Sequence, residues 1–96
     1  MNLQANRQLV PVEGGAPIPL IRARISIGSL ESCDICLKLP DVSGKHCELT
    51  YIDEHWLICD LGTTNGIKIN GNRITEAQVL RSGDEITIAE RSYIFE

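Results

Sequence analysis

The sequence predicts an all-β domain, and three observations carry that prediction. No stretch of about a dozen residues keeps apolar side chains at helical spacing without a turn interrupting it. Short segments that alternate apolar and polar side chains take its place, as expected for strands with one buried face. The apolar residues are mostly Ile, Leu and Val with few aromatics, a composition that favours sheets.

Nine segments show this alternation and are predicted to be strands. They are 7–12, 18–21, 24–27, 34–37, 47–52, 56–61, 67–70, 85–89 and 92–95. Turn residues separate them: 13–17 contains two glycines and a proline, 53–55 is charged and polar, and Asn70-Gly71 supplies the positive φ of a tight hairpin. Nine or more short strands at this spacing are typical of a sandwich or barrel.

The length of 96 residues predicts a single domain. Residues 1–6 are expected to be disordered, as the ends of a domain often are, which leaves 7–96 as the folded unit. Nine basic and thirteen acidic residues give a net charge of −4 without any Lys/Arg run, so no nucleic-acid partner is predicted. Apolar stretches are too short to span a membrane and no signal peptide is evident, so a cytoplasmic location is expected.

Four cysteines raise the question of disulfides or a metal. Without an export signal, the thiols are expected to be reduced. Residue types that bind zinc are present: Cys33, Cys36, Cys47, Cys59, His46 and His55. However, residues three apart in a strand point to opposite faces, so Cys33 and Cys36 could share a metal only across a turn. We therefore predict buried thiols that act as small hydrophobic groups, with no metal and no cofactor.

Three predicted loops are rich in hydroxyl and amide groups. They are 28–32, 39–46 and 62–66. If the sandwich brings them to one end, Ser43, Thr64 and Asn65 offer donors without a full charge, which suit an anion or an extended peptide backbone. The alternative is that these side chains only cap turns.

The order of the short motifs supports the first alternative. In sequence they are Gly28, Cys33-Asp34-Ile35, Val42-Ser43-Gly44-Lys45-His46, Asp60-Leu61-Gly62-Thr63-Thr64-Asn65-Gly66, Asn70-Gly71 and Leu80-Arg81-Ser82-Gly83-Asp84. This set resembles the forkhead-associated (FHA) domain family over about 18–95, and the S-x-x-H and T-N-G elements make the resemblance specific. It implies a SMAD/FHA-type β-sandwich of about eleven mainly antiparallel strands, whose apical loops bind phosphothreonine peptides.

The resemblance also assigns roles to individual residues. It implies that Ser43 hydrogen-bonds the phosphate, that Thr64 places a hydroxyl beside it, and that Asn65 holds the ligand backbone. His46 corresponds to the family histidine that supports the loops from within. The glycines that permit the family's turns correspond to Gly28, Gly66 and Gly71.

Two positions depart from the family pattern. The family arginine that pairs with the phosphate is replaced by Ser29, and the ligand-contacting Arg or Asn after the family serine is replaced by Gly44. A guanidinium makes forked, charge-assisted bonds to phosphate that a hydroxyl cannot replace. Lys45, or Lys38 at the start of the same loop, could supply the missing charge as a point charge.

The leading hypothesis is therefore a protein-interaction module that recognises a phosphothreonine peptide of a partner, with weakened phosphate affinity. The alternative is an FHA scaffold that binds protein without phosphate. Neither partner nor oligomeric state follows from the sequence. An enzyme is the third class, and it is disfavoured: Ser43, His46 and Asp60 have the residue types of a hydrolase triad, but no G-x-S-x-G turn presents a nucleophile.

Overall fold

The computed structural model describes residues 7–96 as eleven β-strands without a helix. The strands are β1 (Gln8–Pro11), β2 (Ile18–Pro19), β3 (Arg24–Gly28), β4 (Ile35–Cys36), β5 (Cys47–Ile52), β6 (His55–Asp60), β7 (Ile67–Ile69), β8 (Asn72–Arg73), β9 (Gln78–Val79), β10 (Glu85–Ile88) and β11 (Arg91–Phe95). Within the described range, no helix is present that could cross a membrane. The predicted disorder of 1–6 lies outside the described residues.

The strands form two sheets. One has the order β2-β1-β11-β10-β7-β8, and the other has the order β4-β3-β5-β6-β9. All pairs are antiparallel except β3 with β4, where Ile27 lies opposite Ile35. The predicted all-β sandwich of eleven mainly antiparallel strands is confirmed.

Each of the nine predicted strands overlaps an observed one, but β8 and β9 were missed. Both contain only two residues, a length over which alternation cannot be recognised. β8 follows the predicted Asn70-Gly71 hairpin turn, in which both residues have positive φ, 53° and 86°. The turn between β5 and β6 is shorter than the predicted 53–55, because His55 already belongs to β6.

The core lies between the two sheets and is mostly aliphatic. Alternate residues of the long strands point inward, so that Ile27, Ile58 and Ile86 are fully buried. Trp56 and Phe95 are the largest buried side chains. Cys47 is also fully buried, and burial raises the pKa of its thiol, so this thiol stays protonated and packs as a small hydrophobic group.

Asp34 joins β3 to the start of β4. Its carboxylate accepts from the backbone N–H of Ser26 at 2.9 Å and from the Ser26 hydroxyl at 3.1 Å, while its own N–H donates to that hydroxyl oxygen at 3.0 Å. The backbone bond from Ser26 lowers the pKa of Asp34 most, and the Ser26 hydroxyl and Arg22 act in the same direction against partial burial. The folded state therefore favours the ionised carboxylate.

We expect Asp34→Asn to lower the free energy of unfolding at neutral pH, and the difference from wild type to shrink as the pH falls. A depressed folded-state pKa stabilises the fold above the unfolded value of about 3.9 and loses that effect as the carboxylate is protonated. Urea unfolding between about pH 7 and pH 3 measures the difference. Glu48→Gln, in the partly exposed pair with Arg24, is the matched control. A difference that is constant over this range would contradict the prediction.

Candidate functional site

Three loops meet at one end of the sandwich, which we call the apex. They are the β3–β4 loop (29–34), the β4–β5 loop (37–46) and the β6–β7 loop (61–66). Backbone hydrogen bonds join the first two: the Ser29 N–H donates to the Ser43 carbonyl at 3.0 Å, and the Leu30 N–H donates to the Gly44 carbonyl at 3.2 Å. The loops that the sequence predicted to be polar are therefore neighbours in space.

His46 connects the second loop with the third. It is the fully buried polar residue of the core, and its Nδ1 accepts from the Ser43 N–H at 3.1 Å. An accepting Nδ1 in a neutral ring leaves the proton on Nε2, which then donates to the Gly66 carbonyl at 2.9 Å. The imidazole thus holds Ser43 and Gly66 at a set separation from beneath the apex.

Gly28 allows the β3–β4 loop to approach the β4–β5 loop closely. A Cβ at this position would lie 2.1 Å from the Gly44 carbonyl oxygen, so only glycine fits. The same carbonyl accepts from the buried Cys33 thiol at 3.2 Å. Gly28 therefore sets the spacing of the loops that contain Ser29 and Ser43.

The β6–β7 loop is shaped by Thr63, a residue that the sequence analysis did not single out. Its hydroxyl donates to the Asp60 carboxylate at 2.8 Å and accepts from the Gly66 N–H at 2.8 Å. Gly66 has φ of +69°, a conformation that favours glycine. These bonds turn the Thr63 side chain inward and leave Thr64 exposed at the apex.

Asn65 bridges two loops in this structure. Its side-chain N–H₂ donates to the Asp41 carbonyl at 3.2 Å. The family resemblance implies that the Asn65 side chain hydrogen-bonds the ligand backbone. In this structure, one donor of that side chain is already used in the bond to Asp41. Its amide oxygen makes no hydrogen bond to residues 7–96 and can accept from a ligand N–H.

The remaining polar groups at the apex differ in their pairing. Within the described part of the chain, the hydroxyls of Ser29, Ser43 and Thr64 form no hydrogen bond. Lys45 is exposed and has no ion-pair partner there. Lys38 lies 3.4 Å from the Glu31 carboxylate in an exposed pair, so of these two lysines Lys45 is the one without a carboxylate partner.

Arg73 is a further apex residue that the sequence analysis missed. It lies on β8, and its Nη2 donates to the Thr64 carbonyl at 3.1 Å. Its guanidinium packs against Gly66, where a Cβ would lie 2.5 Å from Nε. No sequence signal indicated this contact, because β8 itself was too short to be predicted.

The cysteines do not form a metal centre in the described range, where no group of three potential ligands occurs. All four are free thiols. Cys33 is buried and Cys36 is exposed, as expected for side chains on opposite faces. The prediction of buried thiols is therefore wrong for Cys36, which lies on the outer side of the edge strand β4. The Cys36 thiol donates to the Ser29 carbonyl at 3.6 Å.

The two sheets and the polar loops gathered at one end define a class of small β-sandwich domains with an apical loop surface. The FHA domain family matches the chain over residues 25–89, so this protein belongs to the FHA family. The resemblance found in the motifs is confirmed.

Two proteins illustrate the range of its relatives. The chain is 36% identical over 84 residues to mouse proliferation marker protein Ki-67, and this match covers 88% of the chain and 3% of that protein. It is 32% identical over 93 residues to the transcriptional regulatory protein EmbR of Mycobacterium tuberculosis, covering 97% of the chain and 24% of EmbR. The chain thus spans only a small part of the length of these relatives.

Solved structures agree with this placement. The structure of M. tuberculosis EmbR in complex with a low affinity phosphopeptide superimposes with a TM-score of 0.94 at 32% identity, covering 97% of this chain and 24% of that one. A structure from a study of phosphothreonine-dependent FHA domain interactions has a TM-score of 0.87 at 25% identity, with 96% of both chains covered.

Proposed function

We propose that the apex binds a phosphothreonine peptide of a partner protein, with Ser43 and Thr64 contacting the phosphate and Asn65 contacting the peptide backbone. The observation that carries the proposal is the joining of the three apical loops, the first two by backbone hydrogen bonds and the second and third by the His46 ring. This arrangement holds the hydroxyls of Ser43 and Thr64 at one end of the sandwich with no partner among residues 7–96. Donors that are held in place before binding cost little entropy to order when a ligand arrives.

The chemistry of these groups suits a phosphate ester. Hydroxyl donors form short hydrogen bonds to an anionic oxygen, and such charge-assisted bonds are stronger than neutral ones. The phosphopeptide complex of EmbR, at 32% identity and nearly full coverage of this chain, supports the same type of ligand here. Lys45, which has no carboxylate partner among residues 7–96, adds a positive charge in the loop that contains Ser43.

The affinity for phosphate is expected to be weak. Ser29 occupies the position of the family arginine, and its hydroxyl offers one neutral donor in place of a charged fork. The exposed carboxylate of Asp41 at the apex and the net charge of −4 also oppose an anion. Ser29 and Lys45 are therefore proposed as secondary contacts to the phosphate.

A phosphate-independent interaction is the second candidate, and apolar exposure near the apex favours it. Leu30 is 47% exposed and Leu61 is 43% exposed. These side chains adjoin the loops of the proposed site, and apolar side chains at this end can contact a protein surface without any phosphate.

A hydrolase would need His46 to accept a proton from the Ser43 hydroxyl. Both ring nitrogens of His46 are already bonded to backbone groups of Ser43 and Gly66, and Asp60 is bonded to Thr63 rather than to the imidazole. This geometry supports an interaction module and not an enzyme.

We also propose a cytoplasmic location, since a reducing compartment keeps four free thiols reduced.

A phosphothreonine peptide library tests the proposal, with the same peptides unphosphorylated and with phosphoserine as controls. We expect measurable binding of phosphothreonine peptides only. Ser43→Ala is expected to weaken it about tenfold or more, since a hydrogen bond to a charged group contributes about 1.5–3 kcal/mol. Ser82→Ala is the matched control, because Ser82 is exposed and lies near the β5–β6 turn, at the end of β6 opposite the apex. Equal binding of phosphorylated and unphosphorylated peptides would favour the phosphate-independent candidate.

A further inference from the structure

We propose that Arg73 supplies the guanidinium of the apex. One of its N–H groups holds the Thr64 carbonyl, and the others face the anionic part of the bound phosphopeptide. The proposal rests on the proposed function and adds to it a specific binding residue, located on the Thr64 side of the site. In this arrangement the positive charge absent at Ser29 is provided from β8, on the side of the β6–β7 loop.

The Arg73 side chain lies beside the β6–β7 loop. Arg73 lies opposite Lys68 in the β7–β8 hairpin, close to the point where the β6–β7 loop enters β7. Its Nη2 is 3.1 Å from the Thr64 carbonyl oxygen. The guanidinium therefore lies next to the residue whose hydroxyl is proposed to contact the phosphate.

The Arg73 guanidinium is oriented by its contact with Gly66. A Cβ on Gly66 would lie 2.5 Å from Nε and 3.0 Å from both Cζ and Nη2 of Arg73. These distances show that the planar group packs directly on the Gly66 backbone. Packing on one side and a hydrogen bond to the Thr64 carbonyl restrict its rotation, so little further entropy is lost when it binds an anion.

The positive charge of Arg73 is available to a ligand. A guanidinium has five N–H donors, and Arg73 uses one of them within residues 7–96. In the described part of the chain, the ion pairs with carboxylates are formed by Arg22, Arg24 and Lys38. Arg73 therefore lacks a counter-ion there and is exposed, which leaves it able to form charge-assisted bonds to a phosphate or a carboxylate of the peptide.

The test compares Arg73→Gln and Arg73→Lys with Arg81→Gln. Arg81 is exposed and lies near the β5–β6 turn, at the end of β6 opposite the apex, so Arg81→Gln removes the same charge elsewhere. Affinities are measured by calorimetry for one phosphothreonine peptide with neutral flanking residues and for another with acidic flanking residues. We expect Arg73→Gln to weaken binding at least tenfold, Arg73→Lys to weaken it less, and Arg81→Gln to change it less than twofold.

Salt dependence separates a contact from a purely structural effect on the loop. A charged contact weakens as ionic strength rises, so Arg73→Gln should flatten the dependence of affinity on salt, and Arg73→Lys should keep it. A loss confined to the peptide with acidic flanks would identify a peptide carboxylate as the anion, and an equal loss for both peptides would identify the phosphate. Both results support the inference.

Three outcomes would overturn it. If Arg73→Gln and Arg81→Gln bind equally while Ser43→Ala loses binding, the inference is wrong and the proposed function stands. If Arg73→Gln weakens binding without changing the salt dependence, Arg73 has only a structural role. If the wild-type protein does not distinguish phosphorylated from unphosphorylated peptide, the proposed function and this inference both fail.

Discussion

Ser29→Arg is expected to raise the affinity for a phosphothreonine peptide roughly ten- to hundredfold. A guanidinium at this position adds charge-assisted hydrogen bonds to the phosphate, each contributing about 1.5–3 kcal/mol, and about 1.4 kcal/mol is a tenfold change in affinity. The geometry supports this expectation, because the Ser29 N–H and the Ser43 carbonyl are 3.0 Å apart. A side chain at 29 therefore starts beside the proposed phosphate contact.

Two controls make this experiment specific. Ser32→Arg adds the same charge to an exposed position of the same loop, and we expect a smaller gain from it because only general electrostatic attraction is added. Adding Ser43→Ala to Ser29→Arg should remove much of the gain, since both groups are expected to hold one phosphate. If Ser29→Arg folds normally and its binding of phosphothreonine peptides stays at the background level of unphosphorylated peptides, the apex is not a phosphate site.

His46→Ala is expected to reduce the free energy of unfolding by about 2–4 kcal/mol, because the Ser43 N–H and the Gly66 carbonyl both lose their partner. Each buried polar group left unpaired costs about 1–3 kcal/mol, and removing the fully buried ring also leaves a cavity. Urea unfolding followed by circular dichroism measures the change.

His55→Ala is the matched control for His46→Ala, because His55 is exposed at the start of β6. Its replacement is expected to change the stability by less than about 0.5 kcal/mol. His46→Ala should also weaken phosphothreonine binding at temperatures where the variant is still folded, since the β4–β5 and β6–β7 loops lose a shared support. A His46→Ala protein as stable as His55→Ala would contradict this account of the apex.

The strands were predictable to the extent that they are long. β5 and β6 have six residues each, enough for alternation to be recognised and for one face to be buried. β8 and β9 have two residues each, and they exist only because β7 and β6 provide a hydrogen-bonding edge. The contact of Arg73 with the β6–β7 loop could not be predicted for the same reason, since it depends on β8.

Local sequence patterns were sufficient to predict the all-β fold and most turn positions, because apolar alternation and the backbone preferences of Asn-Gly turns are local properties. The motif order was also sufficient to indicate the FHA family and to select Ser43, Thr64 and Asn65. The hydrogen bonds that hold these residues in place became apparent only in the tertiary structure. The bond from Asn65 to Asp41 and the bond from His46 to Gly66 join residues twenty or more positions apart. Such contacts depend on how the two sheets pack and where their loops meet, which no local pattern of residues specifies.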